Sequence, residues 1–131
     1  MPSAISEHDL QDVFDRFREA FATFDGRRVA SLFEAPGVAL RQDGGLRGFS
    51  GTDDIAAYYQ SALDRYRAAG CSACTWSDLD VVRIRAGSVV ATVTWDLLQG
   101  QKSIRRWRQA YFIARFDGEP RIYGSAFADP R

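Results

Sequence analysis

From Leu10 onward the apolar residues Leu10, Val13, Phe14, Phe17, Ala20, Phe21 and Phe24 return at steps of three and four, the spacing that places side chains on one stripe of an α-helix. The pattern predicts a long amphipathic first helix. Ser6 stands at its N-cap position, and Glu7 and Asp9 occupy the first turn, where the helix dipole favours acids. Asp25 and Gly26 end the stripe. Asp25 also suits the N-cap of a short second helix that presents Val29, Leu32 and Phe33 inward until Pro36 and Gly37 stop it. The pieces VALRQ and LRGFS read as two strands around the turn residues Asp43, Gly44 and Gly45. Thr52, Asp53 and Asp54 open a third helix with Ile55, Tyr59, Ala62, Leu63 and Tyr66 on one face and Gly70 as its C-cap.

The pattern then changes period. CTWSDLDVVRIR, SVVATVTWDLLQ, SIRRWRQAYFIARF and RIYGSAFAD all read as extended, with Gly-containing turns between them. Three N-terminal helices packed on a curved, mostly antiparallel β-sheet make an α+β domain. Strand and helix do not alternate, so the parallel sheet of a nucleotide-binding fold is not expected.

A length of 131 residues fits one domain, expected to span 1–131, and 46% apolar with 26% charged residues is enough to fold by packing. No apolar run approaches the roughly 18 residues that cross a bilayer, and MPSAISEHDL lacks the basic flank and apolar segment of a secretory leader. The expectation is a soluble, cytoplasmic protein without a membrane partner. Net charge is zero, although acids outnumber bases 11 to 7 before residue 67 and bases outnumber acids 10 to 6 after it. That balance lacks the overall positive field by which proteins attract nucleic acid. A single lysine beside sixteen arginines makes arginine richness a property of the whole chain rather than of one site.

The order of these elements, with FEAPGVAL before the first strand, GTDDIAAYY opening the third helix and ARFDGEPRIYGSAF at the end, resembles the NTF2-like, cystatin-like cone of ketosteroid isomerase and the SnoaL-type polyketide cyclases. The resemblance covers nearly the whole chain. In the isomerase an Asp base moves a proton beside a ketone while a Tyr and a protonated Asp stabilise the enolate oxygen. The family pattern sets Phe17 at the oxyanion Tyr, Phe33 at a supporting Tyr, Arg41 at the base and Phe112 at the oxyanion Asp. Tyr59 alone keeps its family counterpart's hydroxyl. Phenylalanine donates no hydrogen bond and arginine is no base at neutral pH, so isomerase activity is not expected.

What the resemblance leaves is a cone lined by Phe17, Phe21, Phe33 and Phe112, with Arg41, Tyr59 and Arg108 as polar contacts for a small, largely apolar ligand, neutral or anionic. In the plainer alternative the phenylalanines fill the cone and Arg41 pairs with Asp43 or Asp96 or reaches solvent. Asp96 interrupts the apolar strand TVTWDLL and is the candidate acid or base of an enzymatic alternative.

Cys71 and Cys74 form a CxxC that enters a strand rather than a helix N-terminus, and His8 stands far from both in sequence, so neither a redox motif nor a zinc site is expected. No cofactor is expected either: the chain contains no Gly-rich phosphate loop, GxSxG or HExxH. Sorted by a period of two, RRWRQAYFIARF puts Phe112 and Arg108 on one face and Trp107, Gln109 and Tyr111 on the other. With Phe112 inside the cone, Trp95, Trp107, Gln109, Tyr111 and Tyr123 fall on the outer face as the core of a homodimer interface. Three readings follow: a dimeric ligand-binding cone, an enzyme using Asp96, and an interaction module with a filled cone.

Overall fold

The computed structural model describes residues 4–129. Helices α1 (Glu7–Ala22) and α2 (Gly26–Ala30) lead into strands β1 (Phe33–Leu40) and β2 (Leu46–Phe49), then α3 (Thr52–Ala68) and four long strands, β3 (Ala73–Arg85), β4 (Ser88–Gln99), β5 (Lys102–Phe116) and β6 (Glu119–Ala128). The α+β architecture expected from the sequence is the one observed.

The start of α1 is a capping box. Ser6 Oγ accepts from the Asp9 amide at 3.0 Å, and the Asp9 carboxylate accepts from the Ser6 amide at 2.9 Å, so two of the helix's orphan donors are satisfied reciprocally. Leu10, Val13, Phe14, Phe17, Ala20 and Phe21 are buried along the stripe. Asp25 caps α2 as expected, accepting from the Arg27 amide at 2.9 Å.

The strands form one sheet in the order β2-β1-β6-β5-β4-β3, antiparallel throughout except for the parallel pair β1 and β6. Phe33 departs from expectation. It belongs to β1, paired with Ile122, because α2 stops at Ala30 and the Ile122 amide captures the Leu32 carbonyl at 3.0 Å. Pro36 does not end an element either. It falls in the register break between Phe33 and Val38, where a residue without an amide proton leaves no ladder bond unmade.

The phase of β5 is the reverse of the one expected. Val89, Ala91, Val93, Trp95 and Leu97 of β4 are buried, beneath the helices. The register aligns them with Ile113, Tyr111, Gln109, Trp107 and Arg105; directly paired residues share a face. Trp95, Trp107, Gln109 and Tyr111 therefore point into the cone, and Arg108 and Phe112 point out of it. Tyr123 does lie on the outer face. A register shift opposite Phe112 and Ile113 leaves it between the paired residues Ile122 and Gly124, with its ring 6.0 Å from Phe112 and 6.2 Å from Phe116.

The cone's helical wall depends on one close approach. The Gly26 amide donates to Gln60 Oε1 at 2.7 Å, and Gln60 Nε2 donates to the Phe24 carbonyl at 3.1 Å. A β-carbon on Gly26 would meet the Ala56 carbonyl oxygen at 2.3 Å and the Gln60 amide nitrogen at 2.7 Å. These are backbone atoms of α3 and have no rotamer to escape into. Gly26→Ala is expected to destabilise the fold by about 1–3 kcal/mol, the range for overpacking a close contact. Urea unfolding should show a lower midpoint at unchanged slope.

Candidate functional site

Between α1, α3 and the inner face of the sheet lies a cavity of about 210 Å³. Trp95, Leu97 and Tyr111 form its floor, Phe17 and Phe21 enter from α1, and Tyr58, Tyr59, Leu63 and Tyr66 from α3. The aromatic rings interlock: Phe17 lies 5.0 Å from Trp95 and 5.7 Å from Tyr111, tilted or edge-on to each, a geometry that favours aromatic pairs beyond simple burial. Phe33 packs 5.0 Å from Tyr59 and 6.0 Å from Phe17, supporting the wall rather than lining the space.

The polar groups inside come from β5 and its neighbours. Trp95 Nε1 donates to Tyr111 Oη at 2.7 Å, and Trp107 Nε1 donates to Gln109 Oε1 at 3.1 Å. Ser125 of β6 stands beside the Tyr59 hydroxyl. Burial pushes the Tyr59 and Tyr111 hydroxyls well above the usual phenol range, because a phenolate has no water there to solvate it.

Three exposed arginines, Arg41, Arg65 and Arg105, ring the mouth. Arg105 spans Trp107 and Tyr66, its guanidinium carbon 4.8 Å and 5.6 Å from the two ring centres. Arg65 donates to Ser61 Oγ at 3.0 Å, and Arg41 reaches Asp43 at 3.5 Å, an exposed and loose pair. No carboxylate is among the described residues lining the cavity. Sequence reasoning missed Arg65, Arg105, Tyr58, Tyr66 and Phe127. Arg105 was readable in principle, since it shares Trp107's face of β5.

Asp96 lies on the opposite side of the sheet from the cavity, because its neighbours Trp95 and Leu97 both point in. It accepts from Ser103 Oγ at 2.5 Å and pairs across the strand with Arg106. Arg108 is also outside, and buried there at 5% exposure. It donates to Thr94 Oγ1 and the Asp78 carbonyl, both at 2.9 Å, and meets Asp80 at 3.0 Å. Its work is structural: it fills the bulge in which Asp78 takes a φ of 55°. Phe112 covers Gly124 on that same outer face.

Cys71 and Cys74 are free and buried. Burial raises the Cys71 thiol and pushes Cys74 up to about 12, the reverse of the shift that makes a thiol reactive. Among the described residues no group of three or more His, Cys, Asp or Glu side chains converges to hold a metal, and no helix is long and apolar enough to cross a membrane.

A helical layer closing one face of a curved sheet over an aromatic cavity defines an NTF2-like cone. The chain belongs to the NTF2-like protein family DUF6841, whose model matches residues 6–130. No curated protein matches it in sequence. Among solved structures it is similar to a domain of unknown function with a cystatin-like fold from Nostoc punctiforme, at 18% identity and a TM-score of 0.75, over 95% of this chain and 77% of that one. An NTF2-like protein of unknown function from Shewanella oneidensis aligns over 93% and 98% of the two chains, at 14% identity and a TM-score of 0.74. A putative calcium/calmodulin dependent protein kinase II association domain from Xanthomonas campestris aligns over 100% and 97%, at 19% identity and a TM-score of 0.68.

The buried hydroxyls give the fold an alkaline limit. In the unfolded chain tyrosine ionises near pH 10, whereas Tyr59 and Tyr111 hold their protons higher in the fold. Above that pH the unfolded state binds fewer protons, so stability falls as pH rises. Cys74 contributes the same sign from about pH 8.5, where a free thiol ionises. The melting temperature is expected to fall progressively above about pH 9. In a titration followed at 295 nm, ionisation of Tyr59 and Tyr111 should coincide with loss of circular dichroism. If all five tyrosines ionise while the dichroism persists, the buried placement is wrong.

Proposed function

We propose that the cone binds a small, flat, largely apolar molecule carrying an anionic group. The ring lies against Trp95, Tyr111 and Phe17, and the anion meets the arginines at the mouth. The observation that carries this reading is an aromatic interior whose only charged lining residues, among the described residues, are Arg41, Arg65 and Arg105. A cavity of about 210 Å³ is below the roughly 300–1,000 Å³ of sites for drug-sized ligands, which favours a molecule of one ring. Arg105 supplies the anchor, because stacking on Trp107 and Tyr66 presents its fork already ordered, and a guanidinium matches a carboxylate bidentately. Arginine and a tyrosine of raised pKa do not accept protons at neutral pH. The lining therefore supports binding rather than an isomerase-type proton transfer, and Asp96 faces away from any ligand held there.

Quenching of tryptophan fluorescence tests this directly. Benzoate is expected to bind more tightly than the neutral benzamide, with an affinity that weakens as salt is raised. Arg105→Gln should reduce benzoate affinity about tenfold or more, the scale of a lost hydrogen bond to a charged group. Equal affinity for benzoate and benzamide would remove the anion from the reading.

A second reading concerns the outer face. Val82, Val90, Phe112, Gly124 and Val38 are in register across β3, β4, β5, β6 and β1; Val82 is 60% exposed and Val38 37%. Both charge signs border this row, Asp96 and Arg106 towards one end of the strands and Glu34 with Arg121 towards the other. Such a patch suits a second copy of the chain related by a two-fold axis, where each surface meets itself. The likeness to a fold described as an association domain is consistent with that pairing. The dimer core is then Phe112 with Tyr123, and the tryptophans stay inside. Light scattering at micromolar concentration should report a dimer, and Phe112→Arg a folded monomer. A monomeric wild type ends this reading.

A further inference from the structure

The two tryptophans flanking the cavity do more than fill space. An indole N–H donates and never accepts, so each tryptophan occupies a lone pair of the β5 side chain it touches: Trp95 engages the oxygen of Tyr111, and Trp107 engages Oε1 of Gln109. The second contact also fixes the Gln109 amide, since the flipped orientation would set N–H against N–H. Each β5 side chain keeps a donor that an indole cannot engage, the Tyr111 O–H and the Gln109 amide N–H. Among the described residues neither donor is matched with an acceptor. Residues 109 and 111 are two apart on one strand, hence on one face, and both line the cavity. Tyr111 is only 4% exposed, which places its donor deep in the cone.

We propose that Tyr111 and Gln109 form an acceptor-binding subsite that takes a carbonyl oxygen, so that the ligand is an aromatic or cyclic acid bearing a keto or acyl group remote from its carboxylate. This rests on the reading of the cone as an anion-binding cavity. The carboxylate stays at the arginine mouth while the carbonyl meets the two inner donors. A ligand of the same shape without that oxygen leaves buried donors unpaired, and sites built to hydrogen-bond discriminate strongly against such analogues.

The probes are benzoate, 4-acetylbenzoate and 4-isopropylbenzoate, the last matching the acetyl group in shape without its acceptor. Dissociation constants are measured on the full chain by calorimetry, for wild type, Tyr111→Phe and Gln109→Glu. The glutamate keeps the acceptor for Trp107 and removes the donor, so it preserves a test if the tyrosine variant does not fold. In wild type the acetyl compound should bind about tenfold more tightly than the isopropyl one, and in each folded variant the ratio should fall towards one. The ratio, unlike either affinity alone, is insensitive to general loosening of the fold. If benzoate binds but the acetyl and isopropyl compounds bind alike in wild type, the subsite is wrong while the anion site stands. A ratio unchanged in both variants overturns it as well. If no carboxylate binds at all, both readings fall.

Discussion

The hydrogen bond from the Trp95 indole to the Tyr111 hydroxyl, 2.7 Å long and buried, ties β4 to β5 at the floor of the cone. Its position goes with the pairing of Trp95 with Trp107, and that pairing decides which face of β5 meets the helices. A slip of one residue would exchange the faces completely. Arg106 and Arg108 would then enter the cone, and Trp107, Gln109 and Tyr111 would leave it. Desolvating two guanidiniums without partners is far costlier than burying the aromatic set, so the register is strongly specified. Phe14 and Phe17 of α1 then pack on Tyr111 at 5.5 Å and 5.7 Å. The seat of the first helix, the shape of the cavity and the direction of its polar groups all follow from that one register.

Most of the architecture was legible because it rests on periodicity. The α1 stripe, the Ser6 and Asp25 caps and the start of α3 at Thr52 are local signals that packing did not override. The phase of β5 was not legible from β5 itself. Arg105, Trp107, Gln109 and Tyr111 are about as mixed as Arg106, Arg108, Ala110 and Phe112, so anchoring on Phe112 turned the strand the wrong way. The answer lay next door in β4, where Val89, Ala91, Val93, Trp95 and Leu97 alternate with a face holding Thr92, Thr94 and Asp96. That alternation fixes the inner face of β4 and, through antiparallel pairing, of β5; it also removes Asp96 from the cavity. Tyr123, alone of the residues expected on the outer face, kept its place there, because a register shift at Phe112 and Ile113 resets the phase, and nothing local in RIYGSAF announces it.

The arginines divide by what holds them. Arg108, Arg115 and Arg121 each combine a carboxylate with backbone carbonyls, which ties distant segments together. Arg115 joins the last long strand pair to Asp9 of the α1 capping box. The Ser6 backbone hydrogen bond chiefly holds that carboxyl below its ordinary range, with Arg115 a smaller contributor. Among the described residues the mouth arginines have no comparable anchors. Arg41 has one loose exposed partner and Arg65 one hydroxyl, ties of a strength that contributes little to stability. Under the proposed reading their charge stays available to an incoming anion, so stability and binding would draw on different residues of the same type.

The magnitude of the cavity explains why its lining is polar at all. At roughly 24 cal/mol per Å³, the cost found for voids left in apolar cores, an empty space of about 210 Å³ would cost about 5 kcal/mol. That matches the lower end of the net stability of a domain, about 5–15 kcal/mol, so the space is not sustained dry. Rings as rigid as Trp95, Phe17 and Tyr59 cannot collapse into it, which leaves water or a ligand as its contents. The Tyr111 and Gln109 donors and the arginine mouth give water the several partners it needs to stay. A ligand that displaces such water gains affinity only if its own atoms restore those hydrogen bonds. On the proposed reading, filling the cone with an apolar molecule of the right shape therefore does not suffice, and recognition would depend on oxygen acceptors placed at the arginine mouth and beside the Tyr111 and Gln109 donors.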